Sequence, residues 1–348
     1  MMKPIFVSVP AGEHTLAGHP ENAGRVEAVL SLLEDYKVLG DLLTIAPQAA
    51  MIEQLIRVHT KSMVEMVRQA AAQNWQRLDA DTYVTPSSYD LARLAAGSAA
   101  AAVDKIMTGQ AKTGLALLRP PGHHAERDRI GGFCLFNNVA VAARQAQTVH
   151  GAKRVLIIDF DVHHGNGTQD IFYDDPDVLF ISLHLHLSGF FYPGTGAADE
   201  IGSGLGEGTT LNVPLPLGVG DEGYLQAFTK LIRLKAEAFN PELILISAGY
   251  DAHWADPLTP GNATGLSLTG YAKMVREILA IAEGLCQGRV LFILEGGYYF
   301  PALSHGVLNT IYALLGRDEI VDPLGPAPEA GRDISQLLYS LQQRHLLI

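Results

Sequence analysis

Short, continuous runs of Val, Ile and Leu recur along the chain. They are Ile5–Val9, Gly114–Leu118, Val155–Ile158, Val178–Leu183, Leu243–Ser247 and Val290–Leu294. Unbroken apolar runs of this length predict strands covered on both faces, where a half-exposed strand would alternate. Segments with helical periodicity lie between them: Gly24–Tyr36, Ser87–Met107, Asn137–Val149, Tyr224–Phe239 and Thr269–Cys286. Strand–helix alternation over this length predicts an α/β protein with a mostly parallel sheet and helices on both sides. The stretch Gly194–Gly208 reads as a surface loop, and Pro323–Pro328 followed by Asp333–Leu346 reads as a loop and a closing helix. Without a Pro/Ser-rich linker or an internal repeat, residues 1–348 are expected to form a single domain.

Composition narrows the function classes. The 348 residues are 48% apolar and 18% charged, so the chain can bury a large core. Its 25 Lys+Arg against 37 Asp+Glu give a net charge of −12, with no basic run. That balance argues against a nucleic-acid partner, because backbone binding rests on clustered Lys and Arg. Two cysteines cannot build a disulfide framework or a four-thiolate zinc site, which suggests a reducing compartment. The apolar runs are strand-sized, far short of the roughly 20 residues of a membrane span. Ile5–Val9 is cut off by Pro10 and is too short for a signal-peptide core. A cytoplasmic location with no membrane partner is the expectation.

Candidate chemistry gathers where the strands end. In open parallel sheets ligands bind beyond the carboxyl ends of the strands. Here one strand runs into Arg119-Pro-Pro-Gly-His123-His124, and another into Asp159-Phe-Asp161-Val-His163-His164-Gly-Asn166. Two more run into Ala248-Gly-Tyr-Asp251-Ala-His253 and Glu295-Gly-Gly-Tyr298. Alternation puts Asp159, Asp161 and His163 on one side. Carboxylates so close at an apolar strand end require a positive counterpart, most simply a divalent metal. Asp161 and His163 supply two ligands and Asp251 is the best candidate for a third, leaving a position open as in catalytic zinc sites. A His–Asp pair that merely caps a loop is the commoner explanation of Asp-x-His alone. His123 and His124 suggest proton transfer, with Asp159 a partner for one and Asn166 for the other. Tyr298 after two glycines can be held over the site as a donor to an oxyanion. Cys134 reads as a small buried residue. Asn262-Ala-Thr264 fits a glycosylation pattern without secretory context.

Taken together the segments resemble the zinc-dependent deacetylases: histone deacetylases, acetoin-utilisation proteins and acetylpolyamine amidohydrolases. The matching segments are His19-Pro-Glu-Asn with Arg25, Arg119-Pro-Pro-Gly-His-His-Ala, Gly131-Gly-Phe-Cys-Leu-Phe-Asn-Asn, Asp159-Phe-Asp-Val-His-His-Gly-Asn-Gly-Thr, Ser182-Leu-His, Tyr192-Pro-Gly-Thr-Gly, Asn212-Val-Pro-Leu, Ala248-Gly-Tyr-Asp-Ala-His with Asp256-Pro, and Glu295-Gly-Gly-Tyr. They run in family order from about residue 19 to 300, and the bacterial, class II-like branch fits best.

The resemblance implies a single-domain arginase–deacetylase fold with a sheet of about eight strands. It implies one catalytic zinc on Asp161, His163 and Asp251, with His124 as general base and acid, Asp159 orienting His123, and Tyr298 polarising the substrate carbonyl. One structural potassium would use Asp159, Ser182 and the main chain of Leu183; a second would use Phe172, Asp175, Val178 and Thr209. Gly132, Phe133, Tyr192 and Leu258 would line an acyl-lysine tunnel, Asp81 would hold the substrate backbone at its rim, and Arg25 would lie near an acetate exit. Asn166, where one branch has Asp, gives His124 a neutral partner. Ala23 and Tyr299 depart from the family's usual Pro and Asn. The implied reaction removes acetyl from an acetylated protein, peptide or small amine, and a homo-oligomer is left open. Acetylpolyamine specificity is the alternative, although one polyamine-specific branch carries Glu where this chain has Leu258. A two-manganese ureohydrolase, faintly echoed by Asp251-Ala-His253, and a non-catalytic acyl-amine binding module are the remaining readings.

Overall fold

The computed structural model describes residues 2–347 apart from 260, 262 and 330, so the Asn262 motif lies outside the described residues. The strands are β1 (Ile5–Val9), β2 (Leu43–Thr44), β3 (Thr113–Leu118), β4 (Val155–Asp159), β5 (Val178–Leu185), β6 (Thr210–Leu215), β7 (Val219–Gly220), β8 (Leu243–Ala248), β9 (Thr264–Gly265) and β10 (Val290–Leu294). The helices are α1 (Gly24–Asp35), α2 (Ile52–Leu55), α3 (Lys61–Ala72), α4 (Ser88–Met107), α5 (Asn138–His150), α6 (Asn166–Phe172), α7 (Asp221–Ala227), α8 (Arg233–Phe239), α9 (Leu268–Cys286), α10 (Phe300–Leu314) and α11 (Ser335–Arg344). Eight strands form one sheet in the order β2-β1-β3-β10-β8-β4-β5-β6, while β7 and β9 pair separately. Every pairing in the main sheet is parallel, so the expected "mostly parallel" sheet is wholly so.

Successive strand residues face opposite sides, and each side has its own core. Ile5, Val7, Leu118, Ile157 and Phe180 pack with α3, α4 and α5. Phe6, Leu117, Ile158, Ile181 and Phe292 pack with α1, α9 and α10. Burial on both faces explains why the six central runs are continuously apolar. The two strands without such a run are the sheet's edges. β2 has two residues, and β6 carries Asn212 and Pro214, tolerated where one side of the ladder is unpaired. The α10 segment is apolar nearly all round, with eleven buried residues, and so lacks the two-faced pattern of a surface helix.

Local signals set the ends. Asn137 caps α5 by accepting from Ala140 N at 3.0 Å, and Gly151 closes it at φ 68°. Ser267 caps α9 through Gly270 N at 3.0 Å. The alanine-rich α4 lies close to the chain that follows β2, because at Gly97 a Cβ would come within 2.2 Å of Ala50 N and 2.3 Å of Gln48 O. Gly97→Ala is therefore expected to destabilise the fold by about 1–3 kcal/mol, the usual range for overpacking. The shift in denaturant midpoint measures this, and an unchanged midpoint would refute the close approach.

Candidate active site

The four polar strand ends belong to β3, β10, β8 and β4, which are consecutive in the sheet. Chain segments that are far apart in sequence therefore open onto one crevice. Alternation continues past the end of β4, so Phe160 and Val162 enter the core while Asp159, Asp161 and His163 turn to the site. Oxygen and nitrogen donors of Asp161, His163 and Asp251 lie within 4.8 Å of one another. His163 Nδ1 is 3.1 Å from Asp161 Oδ1 and 3.3 Å from Asp251 Oδ2. Both carboxylates are buried, and their other oxygens are oriented by main chain: Gly296 N to Asp161 Oδ2 at 2.8 Å and Val162 N to Asp251 Oδ1 at 3.0 Å. Asp251 Oδ2 is buried with no hydrogen-bond donor. An orphaned carboxylate oxygen beside a second buried carboxylate and an imidazole is a donor set suited to a small divalent cation. His253 is not in this group; its Nδ1 accepts from Ala255 N and it pairs with Leu266.

The glycines around the carboxylates act by omission. A Cβ at Gly249 would sit 2.1 Å from Asp161 Oδ2, and one at Gly296 would sit 2.1 Å from Asp251 Oδ2. Gly297, at φ 116°, supplies the turn that carries Tyr298. Asp256 fixes that turn, its Oδ2 accepting from Tyr298 N at 2.7 Å and Tyr299 N at 3.0 Å.

His123 and His124 occupy a loop, their ring centroids 3.9 Å apart. His123 Nδ1 meets Asp159 Oδ2 at 2.9 Å, and His124 Nδ1 meets Asn166 Oδ1 at 2.7 Å, as expected for both pairs. Burial alone would push the His123 imidazolium down, but Asp159 and Asp161 outweigh it and carry the group up to about 10. Burial, together with His123 and His163, holds His124 well below the usual range, so it is neutral. Burial also raises the Tyr298 phenol well above its ordinary value, keeping its proton.

Asp81, His124, Gly132, Phe133, His163, Phe191, Tyr192, Leu258 and Tyr298 line a cavity of about 310 Å³. All five residues expected at its walls and rim are there, and Phe191 is an addition. Its ring stacks on His163 at 4.9 Å and 7°, while Tyr192 stands edge-on to His124 at 4.9 Å. The Phe190-Phe191-Tyr192-Pro193 run was the available signal. Gly132 (φ 54°) touches the histidine directly, since a Cβ there would fall 2.2 Å from His124 Cδ2. Cys134 is buried, its thiol raised by burial. Asp159 pairs with Ser182 across β4 and β5, next to Leu183. Asp175 N donates to Phe172 O and Thr209 Oγ1 to Asp175 O, close to the start of β5 at Val178.

Two acids that the sequence shows only as members of motifs, with no role of their own, hold the crevice walls together. Glu295 accepts from Gly122 N at 2.7 Å and His123 N at 3.1 Å, joining the β10 end to the histidine loop. Glu21 is fully buried between Arg119, which chelates both its oxygens, and Arg25 at 3.3 Å. Arg25 continues to Gly297 O at 2.7 Å and Glu295 O at 2.5 Å, and its guanidinium lies 4.8 Å from the Tyr298 ring centroid. Only the partners' positions in space reveal these roles.

Burial would push the Glu21 carboxyl up, but Arg119, with help from His14 and Arg25, holds it down to about 2, against 4.5 when free. A depressed carboxyl stabilises the fold above its unfolded pKa. That contribution is expected to fade as pH falls from about 4.5 to about 2. Glu21→Gln, leaving two buried guanidinium groups without their carboxylate, is expected to cost about 3–5 kcal/mol. Denaturation midpoints against pH for both proteins test this; parallel curves through that window would contradict it.

Residues 19–314 match the histone deacetylase domain. The chain belongs to the histone deacetylase family. It is 39% identical over 364 residues to "Histone deacetylase 10, chloroplastic" of Oryza sativa subsp. japonica, covering 99% of this chain and 81% of that protein. It is 38% identical over 321 residues to "Polyamine deacetylase HDAC10" of Homo sapiens, covering 89% of this chain and 47% of that protein. The crystal structure of the HDA15 HD domain superposes with a TM-score of 0.89 at 39% identity, covering 99% of this chain and 95% of that one. With this family and fold, the chain is a hydrolase of acetyl amide bonds. Among the described residues no helix is long and apolar enough to cross a membrane.

Proposed function

We propose that the chain is a zinc-dependent deacetylase acting on acetyl-lysine in proteins or peptides. The observation that carries this is the Asp161–His163–Asp251 donor group, with its orphaned Asp251 oxygen, whose His163 lines the same cavity as His124 and Tyr298. Zinc held by these three residues would supply Lewis acidity and acidify water. The remaining chemistry falls to the chain. His124 donates from Nδ1 to Asn166, which leaves the Nε2 lone pair to take a proton from the attacking water. Tyr298, with its proton retained, donates to the oxyanion forming on the carbonyl. A protonated histidine then donates to the leaving amine. Asp159 holds His123 and maintains positive charge beside the oxyanion.

Gly132, Phe133, Phe191, Tyr192 and Leu258 would hold the alkyl chain, with Asp81 at the rim receiving the substrate backbone. We assign Arg25 to the acetate exit, supported by its position behind Tyr298. The same reading assigns one potassium to Asp159, Ser182 and Leu183, and another to Phe172, Asp175, Val178 and Thr209, where it would brace the loops that flank β5. A second reading, acetylpolyamine as substrate, draws support from the name of the human relative.

Tyr298→Phe is expected to lose about 10²–10³ in kcat, the cost of one oxyanion donor. Near-normal turnover would remove Tyr298 from the mechanism. Chelated protein should be inactive and regain activity with one zinc per chain; activity restored only by two manganese ions would favour the ureohydrolase reading. Comparing kcat/KM for an acetyl-lysine peptide and acetylputrescine decides between the substrates.

A further inference from the structure

We propose that Glu126 is a positioning residue for His124, acting through the side-chain amide of Asn166. The inference rests on the reading of His124 as the proton acceptor. Asn166 Oδ1 accepts from His124 Nδ1 at 2.7 Å, and Asn166 Nδ2 donates to Glu126 Oε1 at 2.7 Å. An asparagine amide can be turned over, exchanging its oxygen and nitrogen. Turned over here, its NH2 would face His124 Nδ1 and force the ring to carry its proton on Nε2. That tautomer has no lone pair for water. An ionised carboxylate only accepts, so Glu126 admits the NH2 and repels the oxygen. One glutamate thereby selects the amide orientation, and the amide selects the catalytically useful tautomer.

Glu126 is itself held from three directions. Arg129 Nη2 donates to the same Oε1 at 2.6 Å, Glu126 N donates to Arg129 O at 2.8 Å, and Glu126 O lies 2.8 Å from His59 Nδ1. His59 Nε2 accepts from Asn137 N at 2.9 Å, so His59 donates from Nδ1 and ties the Glu126 carbonyl to the start of α5. Glu126 is 13% exposed at the side chain, and Arg129 is 72% exposed. A polar cavity of about 280 Å³ holds Glu126, Asn166 and His124 in its lining, on the side reached past Tyr192 and Pro193. Solvent access there makes a passive amide free to choose its orientation, which is why an acceptor-only neighbour has something to decide.

The test is a set of variants assayed on an acetyl-lysine peptide. Glu126→Met keeps the volume and removes the acceptor; kcat is expected to fall about five- to tenfold, the worth of one hydrogen bond, with KM within about twofold. Nitrogen NMR shifts of the His124 ring should show it leaving the Nδ1–H form. Glu126→Gln keeps an acceptor and should recover most of that loss. Asn166→Asp places two carboxylates in contact and should be impaired; adding Glu126→Gln supplies a donor and should restore turnover about fivefold or more. Thus Glu126→Gln is mildly harmful when Asn166 is present and helpful in the Asn166→Asp background. An equal effect in both backgrounds, or a Glu126→Met variant with wild-type kcat, overturns the proposal. His124→Ala is the control: if it is inactive while Glu126→Met is unaffected, only the positioning role fails. If His124→Ala turns over normally, the proton-acceptor reading fails instead. Should Glu126→Met not fold, the sign change across the Asn166→Asp pair still decides.

Discussion

Two buried carboxylates, Asp161 and Asp251, impose the constraint around which the crevice is built. Each would cost several kcal/mol to bury uncompensated. The chain surrounds them with main-chain donors, the His163 imidazole and glycines that leave no room for a methyl group. One oxygen is still left without a donor. Such a cluster is poor as structure and well suited to holding a cation. The conformations of the β4, β8 and β10 ends follow from that need: Gly249 and Gly296 approach the carboxylates, and the Gly296-Gly297 pair then sends Tyr298 over the cavity.

A second layer keeps these loops in register. Glu21, Arg119 and Arg25 link the segment after β1 to the ends of β3 and β10, and Glu295 links β10 to the histidine loop. Each joins segments from distant parts of the chain through charged groups with little freedom to move. Tyr298 is set by a ring contact with Arg25 on one side and by Asp256 at its backbone on the other.

Much of this was legible in the sequence because double-sided burial leaves an unmistakable trace. The six central strands are continuous apolar runs, and the candidate groups lie directly after four of them. The unread parts have physical reasons. β2 and β6 are edges, free of the demand for apolar residues on both faces. α10 is buried too evenly to show two faces. Glu21 and Glu295 stand inside legible motifs but show no role until their partners are placed, and Phe191 is one aromatic in a run of three until one of them stacks on His163. The tandem histidines' partners could be named because one short motif puts Asp159 at the end of β4 and Asn166 at the start of α6; Glu126 lacks such a marker and is found only by following Asn166 outward.

The strand order has a consequence for how the molecule comes into being. β10 lies between β3 and β8 and is the last strand of the sheet to be synthesised. Until it arrives, β3 and β8 each present an unpaired apolar edge, the kind of surface on which partly made chains associate. The crevice acquires Glu295 and Tyr298 with that same strand. In the proposed mechanism a nascent chain is thus inert until its sheet is sealed, and the insertion that completes the crevice also removes the sticky edges.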